Sequence, residues 1–192
     1  MTTVAAQKRV TPEELLQLPE RNGLELVDGQ LVEKPVSKES SRVAAKIIYL
    51  LSAQAVRTGE AEVYGPDLGY QCFPETGDIR KPDVSVIRRE RLARLAGDVG
   101  YMPMPADLAV EVLSPNDLAR DVAAKIEAYL AAGFPLVWVV DPQTRIVQVH
   151  RADGSVTKLH EKDEITGETV LPNFRCKVTD LLSIAPEMPA NG

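Results

Sequence analysis

The segment Asp107-Leu108-Ala109-Val110-Glu111-Val112-Leu113 constrains this chain more than any other. Side chains alternate along a strand, so Leu108, Val110 and Val112 share one face, and Ala109, Glu111 and Leu113 share the other. Both faces are apolar, the mark of a central strand covered by packed layers on each side. The exception is Glu111. A full charge in such a strand is costly to bury unless it is paired or bound to a metal. The segment therefore calls for a layered sheet and for a reason to keep one acid inside it.

The rest of the chain supplies the layers. Thr11-Pro12-Glu13-Glu14 reads as an N-cap, a proline in the first turn and an acidic start to a short helix ending near Leu18. Leu24 to Val32 reads as a hairpin around Asp28-Gly29, a favoured tight-turn pair. Lys38 to Arg57 forms a long amphipathic helix, with Val43, Ile47, Leu50, Leu51 and Gln54 at helical spacing and Gly59 as its stop. Extended segments near 62–64 and 68–73, a loop over 74–78 and a strand over Lys81–Ile87 follow.

After the Glu111 strand, Ser114-Pro115-Asn116-Asp117 has the form of a capping box, and a helix is expected from there to about Ala132, stopped by Gly133. Phe134–Val140 is a second buried strand. Arg145–Arg151 and Val156–His160 return as hairpins. Residues 161–182 read as extended and loop-like with a short helical end near Asp180, and residues 183–192 as a flexible tail. The expectation is an α/β fold: a mixed sheet flanked by helices with an antiparallel hairpin extension. It occupies one domain over residues 1–192, with a core of about 10–182.

Composition narrows the function. Apolar residues make up 44% and charged residues 26% of 192, an ordinary soluble balance. Two cysteines exclude a disulfide framework and a four-cysteine zinc site, and two histidines argue against a histidine-rich metal centre. The first ten residues lack the apolar core of a secretory signal. The run Phe134–Val140 is too short to span a bilayer. A cytoplasmic protein with no membrane association is expected. The net charge of −6 argues against broad nonspecific nucleic-acid binding, which rests on phosphate neutralisation. The cluster Arg88, Arg89, Arg91 and Arg94 reads as a solvated face.

Three ionisable residues stand out. Asp83 follows Pro82 at the start of its strand, and Glu111 interrupts an apolar face. Lys125 lies about 20° from Leu118 and about 40° from Tyr129 on a helical wheel, near the stripe completed by Val122 and Ile126. Each has a bland reading: a Pro-Asp turn, a strand-end salt bridge, a snorkelling lysine. Together they suit phosphodiester hydrolysis. Neighbouring carboxylates repel unless a cation lies between them, and hard divalent ions use one or two carboxylates, waters and phosphate oxygens. Trp138 and Tyr129 read as core. No glycine-rich phosphate loop and no Ser-His-Asp partnership is present.

Several stretches carry a resemblance: Leu24-Glu25-Leu26-Val27-Asp28-Gly29, Pro82-Asp83-Val84-Ser85-Val86, Leu108 through Pro115, Lys125-Ile126-Glu127-Ala128-Tyr129, and Trp138-Val139-Val140-Asp141-Pro142. In this succession the chain resembles the Uma2 family of bacterial restriction-endonuclease-like proteins, once filed as a domain of unknown function, within the PD-(D/E)XK nuclease superfamily. The resemblance covers roughly residues 10–182. It implies a Mg²⁺- or Mn²⁺-dependent endonuclease acting on DNA, a hydrolase of ester bonds. Asp83 and Glu111 would hold the metal, with the Val112 backbone carbonyl as a further ligand. The superfamily lysine would fall at Leu113, so its role passes to Lys125 on the following helix. Glu25 matches an acid of the family's hairpin, with Leu24 where relatives carry tyrosine. The histidine that many relatives place near the start of the long helix is absent from Glu39-Ser40-Ser41-Arg42. A non-catalytic nucleic-acid-binding or interaction module on the same fold is the alternative, and a structural oligomer joined by its late hairpins is a third reading. Hairpin edges make a homodimer an expected state.

Overall fold

The computed structural model describes residues 9–73, 75–95, 97 and 100–183. The expected tail from residue 184 onward and most of the first ten residues lie outside the described residues, as does Pro74 of the expected loop. In chain order the elements are α1 (Pro12–Gln17), β1 (Leu24–Val27), β2 (Gln30–Glu33), α2 (Lys38–Thr58), β3 (Ala61–Tyr64), β4 (Tyr70–Phe73), β5 (Asp78–Arg80), β6 (Val84–Arg88), α3 (Arg89–Leu92), β7 (Leu108–Val112), α4 (Ala119–Ala131), β8 (Leu136–Asp141), β9 (Ile146–Arg151), β10 (Val156–Leu159), β11 (Glu164–Gly167), β12 (Leu171–Lys177) and α5 (Val178–Leu182).

A six-stranded sheet runs β10-β9-β8-β7-β6-β3. Its β7–β8 pair is parallel and its other pairs are antiparallel. The parallel pair needs a crossover, which α4 supplies. β7 is buried at all five positions, as its sequence demands. A smaller sheet, β2-β1-β5-β4, lies beside the first and carries the hairpin turn. Asp28 and Gly29 both have positive φ there, the conformation a type I′ turn requires.

The alternation along β7 sorts the core into two layers. Leu108, Val110 and Val112 pack with Val43, Ile47 and Leu51 of α2 and with Trp138. Ala109 faces the other way, with Tyr129, Phe134, Val137 and Val139. Glu111 points toward this second, α4-bearing layer.

Two expectations need correction. The helix after β7 begins at Ala119 rather than near Ser114. Asp117 does receive the Ser114 N–H at 2.7 Å, but it closes a turn instead of starting the helix. Leu118 becomes an extended N-cap that is 53% exposed, so it is no member of the buried stripe. Residues 161–182 are also more regular than their sequence implies. β11, β12 and α5 bury Ile165, Leu171, Phe174, Val178 and Leu181 within the α2 layer.

The basic cluster is partly consumed within the fold. Arg88 and Arg91 bond Asp107, which is nearly fully buried. No helix among the described residues is long and apolar enough to cross a membrane.

Candidate active site

The site forms where β6 and β7 leave their pairing and the small sheet meets α4. Val84 pairs with Val110. Continuing that register puts Asp83 opposite Glu111 and Pro82 opposite Val112. Proline has no N–H to give to the ladder, and the Asp83 side chain takes over: Val112 N–H donates to its Oδ2 at 2.7 Å. The N–H and C=O of a strand residue point to the same edge. The Val112 carbonyl therefore faces the Asp83 side, opposite a residue with no donor.

Glu111 is 7% exposed. Its Oε1 accepts the Tyr129 hydroxyl at 2.7 Å, and Lys125 Nζ lies 3.0 Å from each of its oxygens. The same ammonium is 2.9 Å from Oε1 of Glu25 on β1. Glu25 is 3% exposed, and its Oε1 also accepts the Lys81 N–H at 2.7 Å. Lys125 thus bridges two buried acids contributed by different sheets. Arg80 Nη1 lies 3.9 Å from Glu25 Oε2, while Nη2 bonds Asp78 at 2.9 Å. Among the described residues, the buried Arg80 Nε finds no hydrogen-bond partner.

These contacts divide the titrations. Burial tends to raise the Glu25 carboxyl, but the ammoniums of Lys125 and Lys34, with hydrogen bonds from Lys125 and Lys81, hold it below its ordinary value. At Glu111 burial wins, with repulsion from Asp83 and Glu25 added, and the carboxyl is raised despite both lysines. Burial also disfavours the Lys125 ammonium, yet Glu111, Glu25 and Asp83 outweigh it and the group stays charged. Tyr129 is raised well above its ordinary value by burial and by Glu111 and Glu25, so it remains a donor. Burial pushes the thiols of Cys72 and Cys176 up to about 12, which leaves no cysteine thiolate for nucleophilic chemistry.

Glu25, Asp83, Glu111, Val112 and Lys125 all line one cavity of about 230 Å³. A cavity of this size, lined by polar groups, admits several waters. All five residues expected from the sequence are thus brought together. Three participants were not anticipated. Lys34, just after β2, places Nζ 2.7 Å from Asp83 Oδ1. Arg80 enters from β5, a strand that sequence reasoning did not resolve. Tyr129 was expected as core and is, but its hydroxyl reaches Glu111. The four-residue spacing of Lys125 and Tyr129, one helical turn apart on the same face, was the available signal for that contact.

The profile of a protein family described as "Putative restriction endonuclease", Uma2, matches residues 12–180. The chain belongs to the Uma2 family. Its fold is also that of a solved structure, a "putative nuclease belonging to DUF820" from Anabaena variabilis ATCC 29413. The TM-score is 0.78 at 21% sequence identity, covering 90% of this chain and 97% of the other. No curated protein matches the chain. The Uma2 assignment supports a nuclease-like role and a restriction-endonuclease-like fold.

The donors present fit a hard divalent ion: two carboxylates and a backbone carbonyl, all oxygen. Among the described residues, no three or more His, Cys, Asp or Glu side chains are grouped to hold a metal ion.

Proposed function

We propose that this Uma2 protein is a Mg²⁺- or Mn²⁺-dependent endonuclease that hydrolyses DNA phosphodiester bonds. Asp83 and Glu111, with the Val112 carbonyl, would hold the ion. When bound, a divalent ion supplies a polarised phosphate and a water of lowered pKa. The protein's own groups do the rest. Lys125, kept charged by its acids, donates to the nucleophilic water or to the phosphoryl oxygen that gains charge. Glu25 holds that ammonium in place from the opposite sheet. Tyr129, a positioning residue, fixes the orientation of Glu111 through a buried hydrogen bond.

The observation that carries this reading is the ammonium of Lys125 suspended between Glu25 and Glu111 in the cavity that Asp83 lines. A purely structural ion pair has no need of three acids from separate segments around one opening.

The test is plasmid nicking or linearisation under Mg²⁺ and Mn²⁺ titration. Cleavage that needs the ion and disappears in Asp83→Ala and Glu111→Ala supports the assignment. DNA binding with no cleavage under any divalent ion would favour the second reading, a non-catalytic nucleic-acid module. One observation favours that alternative: Lys34 and Lys125 already pair with the three acids. The proposal includes a cytoplasmic location and a homodimer. β10 is an edge of the large sheet, exposed at three of its four positions, and offers an unpaired strand side for a second copy. Light scattering on the purified protein decides the oligomeric state.

A further inference from the structure

Lys34 is a charge to which the hydrolytic reading gives no task. It follows β2, whose four residues are all exposed, yet its own side chain is only 12% exposed. Its Nζ donates at 2.7 Å to Asp83 Oδ1 and at 2.7 Å to the Lys81 carbonyl. Of these two oxygens, only the Asp83 carboxylate belongs to the ligand set proposed for the ion, so ammonium and ion would compete for one position on it. A lysine ammonium is a compact point charge with up to three donors, well suited to occupy such a position.

The charge balance gives the same answer. Among the ion-paired groups, Glu25, Asp83 and Glu111 bring three negative charges against Lys125 and Lys34, which leaves one negative charge over, and Glu33, Asp117 and Asp121 also line the cavity. Arg80 is matched by Asp78 and does not alter the balance. Replacing Lys34 by a doubly charged cation makes the cluster neutral. Holding both cations makes it positive. The field of Lys34 also reaches beyond Asp83, acting on Glu25 and Glu111. The neighbours Glu33 and Pro35 are exposed, so the long Lys34 side chain can swing outward without disturbing packing.

We propose that Lys34 is a displaceable stand-in for the divalent ion: its ammonium caps Asp83 in the metal-free protein, competes with the ion for that carboxylate and withdraws toward the cavity mouth when the ion binds. Lys34 thereby sets the metal concentration at which the site fills. The inference rests on the metal-site reading above, and the following experiment separates the two.

Mn²⁺ binding is titrated by electron paramagnetic resonance, without nucleic acid, on the wild type, Lys34→Met, Lys34→Gln, Lys38→Met and Asp83→Asn, each checked for folding by circular dichroism. Lys34→Met and Lys34→Gln are expected to bind Mn²⁺ at least ~10-fold more tightly than the wild type (about 1.4 kcal/mol). Lys38→Met removes an exposed charge four residues along the chain and is expected to stay within ~2-fold, because exposed charges are screened. Mn²⁺ should also raise the melting temperature of Lys34→Met more than that of the wild type at equal concentration. If Lys34→Met does not fold, Lys34→Gln, which keeps a hydrogen-bond donor, carries the comparison. Wild-type binding with no tightening in the Lys34 variants overturns the stand-in role and leaves the metal site intact. No Mn²⁺ binding by any variant, or Asp83→Asn binding as well as the wild type, overturns both.

Discussion

Replacing Lys125 by methionine would leave Glu25 and Glu111 without the ammonium they share. Both acids are nearly fully buried, and the Lys125 side chain is only 14% exposed. Solvent screening therefore offers little relief, and the figure for breaking a buried pair applies, about 3–5 kcal/mol. Lys34 still acts on both acids, which places the expectation near the lower end, at roughly 3 kcal/mol at pH 7–8. The loss should depend on pH, with a definite sign. Without Lys125, the Glu111 carboxyl rises further above its unfolded value, and the Glu25 carboxyl loses the ammonium that does most to hold it down. The folded state then binds protons that the unfolded state does not, and the destabilisation shrinks as pH falls through the raised values. Each unit of rise returns about 1.4 kcal/mol per acid once that acid is protonated. Urea denaturation of wild type and Lys125→Met at pH 8 and pH 5 measures this directly. A difference in unfolding free energy that is the same at both pH values, or smaller than about 1 kcal/mol at pH 8, would refute the shared-ammonium account.

Two further tests address neighbouring groups. Tyr129→Phe removes a buried hydrogen bond to a charged acceptor and should cost about 1.5–3 kcal/mol in stability. It should also raise the Glu111 carboxyl further, which carbon-labelled glutamate resonances can follow; an unchanged titration would contradict the contact. Trp138→Ala, in the α2 layer, should cost about 3–5 kcal/mol by urea denaturation while leaving Mn²⁺ affinity within twofold; a change in metal binding would show that the two layers are coupled.

The sheet and its acids were legible because their signals are local. β7 declares itself by apolar residues on both faces, and the same alternation assigns Glu111 to the α4 layer. α2 is marked by helical spacing and by Gly59, which closes it in the left-handed conformation. Lys34 was not legible: a lysine after an exposed hairpin strand looks like any surface charge, and only the three-dimensional approach of β2 to Asp83 gives it meaning. The start of α4 was misplaced because Ser114 and Asp117 make part of the expected contact in a turn, where the same hydrogen bond needs no helix. The C-terminal hairpin was obscured because β12 buries only two of its seven residues, Leu171 and Phe174, and because the β11–β12 register shifts at Thr166/Gly167.

Residue 81 holds the site together through its main chain. Its amide hydrogen meets Glu25 and its carbonyl receives Lys34, while its side chain reaches away to the Arg21 carbonyl. Nearly every amino acid would present those two backbone groups alike, so genetic drift at this codon can erode the anchor to Arg21 yet leave the clamp on both charged partners standing. Only a second proline, directly ahead of Pro82, would strip away the amide hydrogen and release Glu25.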